Sequence, residues 1–99
     1  MSQRYQLTPG AQGDVDQIVE VIAADNVEAA LRVHAALEHA FEHLAEMPAI
    51  GHARDDLTAR PVRFWSVYSY LVVYDPASSP LTVIAVLHGA RDVENLLKL

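Results

Sequence analysis

The sequence predicts an α+β fold with the element order β-α-α-β-β-β, in which a helical hairpin packs on one face of an antiparallel sheet and a short C-terminal tail or helix follows. The first half of the chain carries two long runs of apolar residues at helical spacing, divided at Asp25 and Asn26. The second half carries three runs rich in β-branched and aromatic residues, divided by turn-forming residues. A chain of 99 residues suits one domain, so we assign residues 1–99 to a single domain.

The first predicted element is a short strand that leads directly into a helix. Polar and apolar side chains alternate at the start of the chain, which puts Tyr5 and Leu7 on the buried face. Thr8 can cap a helix with its side-chain oxygen, and Pro9 suits the first helical position because no backbone donor is needed there. Asp14 lies in an early turn, where the helix dipole favours an anion. The apolar face of this helix consists of Ala11, Val15, Ile18, Val19 and Ile22.

The second helix begins almost immediately after the first. Asn26 is a good N-cap, and the helical spacing continues to about Met47, where Pro48 stops it. Because almost no loop joins the two helices, we expect them to pack as an antiparallel hairpin. The apolar stripe of the second helix consists of Val27, Ala30, His34, Leu37, Phe41 and Leu44.

The second half of the chain predicts a loop and then a meander of strands. Residues 48–60 form the loop, with Ile50 and Leu57 as apolar anchors. A tight turn at Tyr68 and Ser69 separates the first two strands of the meander. Gly89 ends the last strand, whose nearly continuous apolar run is typical of the centre of a sheet. The predicted strands are 62–67, 70–74 and 81–88.

Charge is distributed unevenly along the chain, whose net charge is −6. Residues 10–47 carry eight carboxylates against one base, Arg32, whereas residues 54–99 carry five bases and five carboxylates. An acidic balance argues against direct electrostatic binding to DNA or RNA. The chain has no cysteine and no apolar run long enough to span a bilayer, so we expect a cytoplasmic protein that does not bind a membrane.

Several strings in the chain resemble those of the RelE/ParE toxin superfamily, and they are most similar to its ParE branch. The resemblance covers nearly the whole chain, and the order and spacing of the strings carry it. The strings are Tyr5-Gln6-Leu7-Thr8-Pro9, Asp25-Asn26, Met47-Pro48, Gly51, Arg54, Val62-Arg63-Phe64, Tyr70-Leu71-Val72-Val73-Tyr74 and Val86-Leu87-His88-Gly89-Ala90-Arg91-Asp92.

The resemblance implies a toxin of a type II toxin–antitoxin system. Its partner would be an antitoxin encoded beside it, of the ParD-like ribbon-helix-helix kind, so that the toxin meets DNA only through the antitoxin. Several ParE-like members of the superfamily inhibit DNA gyrase, and this is our leading expectation for the target, whereas others have no known target. RelE-like members cut messenger RNA on the ribosome. The remaining alternative is a decayed, non-toxic interaction module.

An RNase would need a general base, a general acid and cations that stabilise the charge on the phosphate. His88, Arg63 and Arg91 are the candidates for these roles. Each has a simpler interpretation. His88 would be a strand-end histidine bonded to a carbonyl, Arg63 would pair with Asp55 or Asp56, and Arg91 would form a local ion pair in the tail. Relatives of the RelE type add further bases and a C-terminal tyrosine, whereas here no aromatic residue follows Tyr74.

A binding surface for the target or the antitoxin is the alternative use of these side chains. Exposed aromatic residues and arginines are typical anchors of protein interfaces, and the arginines could attract an acidic antitoxin segment. The simpler interpretation of the aromatic residues is core packing and cross-strand pairing. We expect deletion of residues 92–99 to abolish toxicity and to leave the fold intact. The predicted binding residues are Arg54, Arg60, Arg63, Trp65, Tyr70, His88, Arg91, Leu96 and Leu97.

One metal-like motif occurs in the second helix. His39-Ala40-Phe41-Glu42-His43 matches the H-x-x-E-H pattern of some zinc peptidases. Helical geometry turns His39 and His43 away from the apolar stripe toward solvent, and no third ligand is evident. We therefore predict no metal and no cofactor. His34 lies on the stripe and is predicted to be a packed, hydrogen-bonded core histidine.

Overall fold

The structure is a computed structural model that describes residues 4–89. Within these residues the chain forms four strands and two α-helices in the predicted order, which confirms the α+β fold. The predictions for Arg91, Leu96, Leu97 and the rest of the tail lie outside the described residues. The elements are β1 (Tyr5–Leu7), α1 (Pro9–Ala23), α2 (Val27–Glu46), a short 3₁₀ turn (Pro48–Ile50), β2 (Arg63–Val67), β3 (Tyr70–Asp75) and β4 (Leu81–His88).

The four strands form one sheet with the order β1-β4-β3-β2. Strands β2, β3 and β4 make the expected antiparallel meander. Strand β1 joins it at the edge of β4, but it pairs in parallel, from Tyr5 opposite Leu81 to Leu7 opposite Val83. The sheet is therefore mixed and not wholly antiparallel as predicted. Parallel pairing needs a long crossover connection, which the helical hairpin and the β2–β3 ribbon supply.

Both helix starts follow from local sequence signals. Thr8 accepts a hydrogen bond from the backbone N–H of Ala11, and Pro9 occupies the first turn of α1. Asn26 accepts a hydrogen bond from the N–H of Ala29 at the start of α2. These side chains satisfy backbone donors that have no partner inside a helix. Neither α1 nor α2, the α-helices of the described residues 4–89, combines the length and the hydropathy that a membrane-spanning helix requires.

The core lies mainly between the helical hairpin and the sheet. The loop after α2 contributes to both faces of the sheet, because Ile50 packs on the helix side and Leu57 packs on the opposite side. Both residues therefore act as the predicted anchors. The main buried cluster on the helix side consists of Ala11, Val15, Leu37, Phe41, Leu44, Val72, Tyr74, Leu81, Val83 and Val86. Those of the opposite face are Val62, Phe64 and Val73.

The predicted stripe of α2 is wrong at two positions. Val27 is 61% exposed, and His34 is half-exposed, with its Nδ1 atom 3.2 Å from a carboxylate oxygen of Glu38 instead of packing in the core. At 100° per residue, Val27 and His34 lie about 40–60° to one side of Ala30, whereas Leu37 lies on the other side. They are therefore on the flank of the stripe, where solvent reaches them.

Candidate functional site

The predicted site residues fall into two groups at opposite ends of the sheet. Arg63 lies opposite Tyr74, whereas His88 lies opposite Tyr70. The four-residue step between these two tyrosines corresponds to about 13 Å along β3. Strands β2 and β4 are also separated by the whole width of β3. Arg63 and His88 are therefore not brought together around one phosphate group.

The first group is a set of hydrogen bonds that we call the Gly51 clamp, formed by Pro48, Gly51, Arg63 and Tyr74. The Tyr74 hydroxyl donates to the carbonyl of Pro48 at 2.7 Å and accepts from the N–H of Gly51 at 2.9 Å. Arg63 donates from Nη1 to the carbonyl of Gly51 at 2.7 Å. Arg63 thus holds the loop to the sheet, and it does not pair with Asp55 or Asp56 as predicted.

Tyr74 is fully buried, and its environment changes its titration. Burial raises the pKa of Tyr74 above its ordinary value, while the hydrogen bond from Gly51 and the charge of Arg63 oppose this change. The direction follows from the cost of placing a phenolate in a poorly solvated site. Tyr74 therefore remains a neutral donor and acceptor in the Gly51 clamp.

Gly51 leaves no space for a side chain. A Cβ atom there would collide with the hydroxyl oxygen of Tyr74 and would lie 3.0 Å from the carbonyl oxygen of Phe64. Glycine is needed at this position because another backbone and a buried ring approach it closely. The sequence indicates Gly51 as a loop residue, but the close approach depends on Tyr74, which is 23 residues away.

The remaining arginines of this group lie on the exposed loop before β2. Arg54 donates to both carboxylate oxygens of Asp56, at 2.9 and 2.8 Å. This bidentate hydrogen bonding to Arg54 lowers the pKa of Asp56. Arg60 is exposed, and its backbone N–H donates to the side chain of Thr58. The positive charge of Arg54 is therefore balanced inside the loop.

The second group lies at the other end of the sheet, against α1. The rings of Tyr70 and His88 meet edge to face, with their centroids 5.4 Å apart and an angle of 85° between them. They form one wall of a groove of about 240 Å³, which we call the α1–β4 groove. The groove is lined by Asp14, Gln17, Ile18, Val21, Tyr70, Val86 and His88.

Asp14 ties α1 to the part of β4 that extends beyond β1. Strand β1 pairs only with Leu81–Val83, although β4 continues to His88. The hydroxyl of Thr8 donates to the carbonyl of Ile84 at 3.0 Å, and Asp14 accepts from the N–H of Val86 at 3.0 Å. Two side chains thus provide the hydrogen bonds that a longer first strand would have made. The sequence does not indicate this role of Asp14, which depends on a contact across 72 residues.

Trp65 lies between the two groups, on the helix side of β2. Its ring packs against His43 of α2, with centroids 5.9 Å apart. The prediction that His43 points to solvent is therefore wrong. His43 is half-buried because α2 packs against β2 at Trp65. His39 is exposed as predicted. Among residues 4–89, no three histidine, aspartate or glutamate side chains gather as they would around a metal ion.

Comparison with known proteins assigns this arrangement to a family. The chain is 34% identical over 103 residues to Toxin ParE1 of Mycobacterium tuberculosis, both in strain CDC 1551 / Oshkosh and in strain ATCC 25618 / H37Rv. Each alignment covers 98% of this chain and 100% of the relative. The solved structure of the chromosomal ParDE TA system from P. aeruginosa has a similar fold, with a TM-score of 0.71 and 15% identity, and the match covers 86% of this chain and 94% of that chain.

A family model described as "ParE toxin of type II toxin-antitoxin system, parDE" matches residues 5–93, which is most of the chain. This match agrees with the resemblance in the sequence and with the fold of the hairpin and sheet. The chain belongs to the ParE toxin family and is the toxin component of a type II toxin–antitoxin system.

Proposed function

We propose that this toxin stops growth by binding a protein target, DNA gyrase, without cleaving RNA, and that a ParD-type antitoxin neutralises it. The matching family and the similar solved structure are both named for a parDE or ParDE system, which supports the ParD-type partner. Because gyrase acts on cytoplasmic DNA in bacteria, the toxin would act in the cytoplasm.

The separation of Arg63 from His88 is the observation that carries this proposal. Cleavage of an RNA strand requires an acid, a base and cations within hydrogen-bond reach of one phosphate. Arg63 is bound to the carbonyl of Gly51, and about 13 Å of strand β3 lies between its row and that of His88. A binding surface has no such requirement, because its anchors can be spread over the whole interface.

Induction of the gene in cells tests this proposal. We expect growth to stop, full-length transcripts to persist, and plasmid DNA from the arrested cells to be less negatively supercoiled. Co-induction of the adjacent antitoxin gene should restore both growth and supercoiling. Cleaved transcripts that become intact again in a His88→Ala variant would instead establish the RNase alternative. Normal growth on induction of the toxin alone would support a decayed module.

The C-terminal residues stay part of the proposal. A chain lacking residues 92–99 is expected to fold and to be non-toxic, because the apolar positions Leu96 and Leu97 would contact the target. Circular dichroism of the shortened chain checks the fold, and the growth assay checks toxicity. Undiminished toxicity would remove these residues from the target surface.

A further inference from the structure

We infer that the α1–β4 groove receives a basic side chain of the antitoxin, so that the antitoxin segment lying along α1 is a basic amphipathic helix. The inference rests on the proposed neutralisation by an antitoxin and adds the location and the charge of the contact. The charge of this antitoxin segment is opposite in sign to that of the acidic segment which the loop arginines would attract.

The chemistry of the groove favours a cation. Asp14 is half-buried at its wall and uses one oxygen, Oδ2, to accept from Val86. A carboxylate has further lone pairs, so Asp14 can accept a second hydrogen bond from an incoming ammonium or guanidinium group. Tyr70 lines the same groove, and an aromatic ring is a favourable neighbour for a cation. Among the described residues that line the groove there is no lysine or arginine.

The helical hairpin, whose first helix lines the groove, carries a net charge of the same sign as Asp14. Residues 10–47, which include both helices, carry eight carboxylates against Arg32. Asp16 and Glu20 add to this charge from the outer, exposed face of α1. At the other end of the sheet, Arg54 is already paired with Asp56, and Arg63 is bound within the Gly51 clamp. The helical hairpin would therefore attract a basic segment and repel an acidic one.

An apolar rim beside the carboxylate specifies the shape of the partner. Val21 lines the groove and is 67% exposed, and Ile18 lies one turn before it on the same side of α1. A helix that carries a lysine or arginine, with an apolar residue three or four positions away, could bind Asp14 and cover Val21 at once. This spacing is the pattern of a basic amphipathic helix.

The affinity of the antitoxin encoded by the adjacent gene, measured by isothermal titration calorimetry with the full toxin chain, tests the charge at the groove. Asp14→Asn keeps an oxygen that can accept from Val86, so the fold should persist while the charge is lost. We expect this variant to bind about tenfold more weakly or worse. Glu20→Gln removes the same charge from the outer face of α1 and should change the affinity much less.

A second pair of variants tests the sign directly. Val21→Lys and Val21→Glu remove the same exposed apolar side chain, so they differ only in the charge that they add to the rim. A basic partner should bind Val21→Lys several-fold more weakly than Val21→Glu, and the difference should shrink at high salt. Equal affinities, or weaker binding by Val21→Glu, would overturn the inference while the wild-type chain still binds. No binding by the wild-type chain would overturn the proposed neutralisation itself.

Discussion

Tyr74 shows how one side chain fixes the position of the loop that leads into β2. Its ring is buried in the helix-side core, and its hydroxyl reaches across to Pro48 and Gly51. The backbone groups at Pro48 and Gly51 would otherwise have lost water without gaining a partner. The loop is thus held by hydrogen bonds to a residue that apolar packing has already fixed.

Replacing Tyr74 by phenylalanine should destabilise the protein by about 1–3 kcal/mol, since it leaves the N–H of Gly51 and the carbonyl of Pro48 without their partner. The change is measured as the difference in the free energy of unfolding by urea. Tyr68→Phe is the matched control, because Tyr68 is 70% exposed and its loss of a hydroxyl should have little effect. Equal stabilities of the two variants would contradict the importance of the Gly51 clamp.

The raised pKa of Tyr74 also predicts an alkaline limit to stability. Burial raises its pKa in the folded chain above the ordinary value of 10.0 that holds in the unfolded chain. The stability that neutral, buried Tyr74 contributes is fully present below pH 10. It is lost as the pH rises toward the pKa of Tyr74 in the folded chain, because the tyrosine of the unfolded chain releases its proton first. Urea midpoints between about pH 8 and pH 11 should therefore fall less steeply in Tyr74→Phe than in the wild type. Parallel curves would show that Tyr74 does not control this loss.

At the scale of the secondary-structure elements, helix α1 both packs on the sheet and forms hydrogen bonds with it. Its cap residue Thr8 donates a hydrogen bond to the carbonyl of Ile84, and Asp14 accepts one from the N–H of Val86. Both backbone groups lie in the part of β4 beyond its pairing with β1. The start of α1 is therefore coupled to the central strand of the sheet. The cap of α2 acts within its own helix, since Asn26 accepts from the N–H of Ala29.

This difference between the caps predicts unequal costs of substitution. Asn26→Ala should cost about 1 kcal/mol, the usual loss for a helix cap. Thr8→Ala should cost more, because it removes the cap and also leaves the carbonyl of Ile84 without its donor. Thr8→Ser keeps both hydrogen bonds and serves as the control. Chemical unfolding of the three variants measures the order, and equal losses for Thr8→Ala and Asn26→Ala would refute the coupling.

Local signals predicted the elements well because each depends on a few neighbouring residues. The caps at Thr8 and Asn26 and the bounds of β4 are set in this way. The parallel pairing of β1 and the Gly51 clamp depend on contacts between distant parts of the chain, and a single sequence does not reveal which distant groups meet. The same limit applies to the site, since the sequence suggests Arg63 and His88 as partners and the strand register separates them.

The distribution of charge over the whole molecule gives the arginine-bearing end of the sheet and the helical hairpin different roles. The end with Arg54 and Arg63 uses these arginines in internal pairing, whereas the helical hairpin presents an excess of carboxylates. A toxin with this surface is poorly suited to the phosphate backbone of RNA. It is better suited to protein partners, whose interfaces can match both its acidic face and its apolar rim.

Supercoiling of a relaxed plasmid by purified DNA gyrase tests the central proposal most directly. We predict that the purified toxin inhibits supercoiling in proportion to its concentration and that prior mixing with its antitoxin restores the activity. The heat-denatured toxin, which has lost the fold, serves as the control. Undiminished supercoiling at a toxin concentration that cleaves messenger RNA on ribosomes would contradict the proposal and establish the toxin as an RNase.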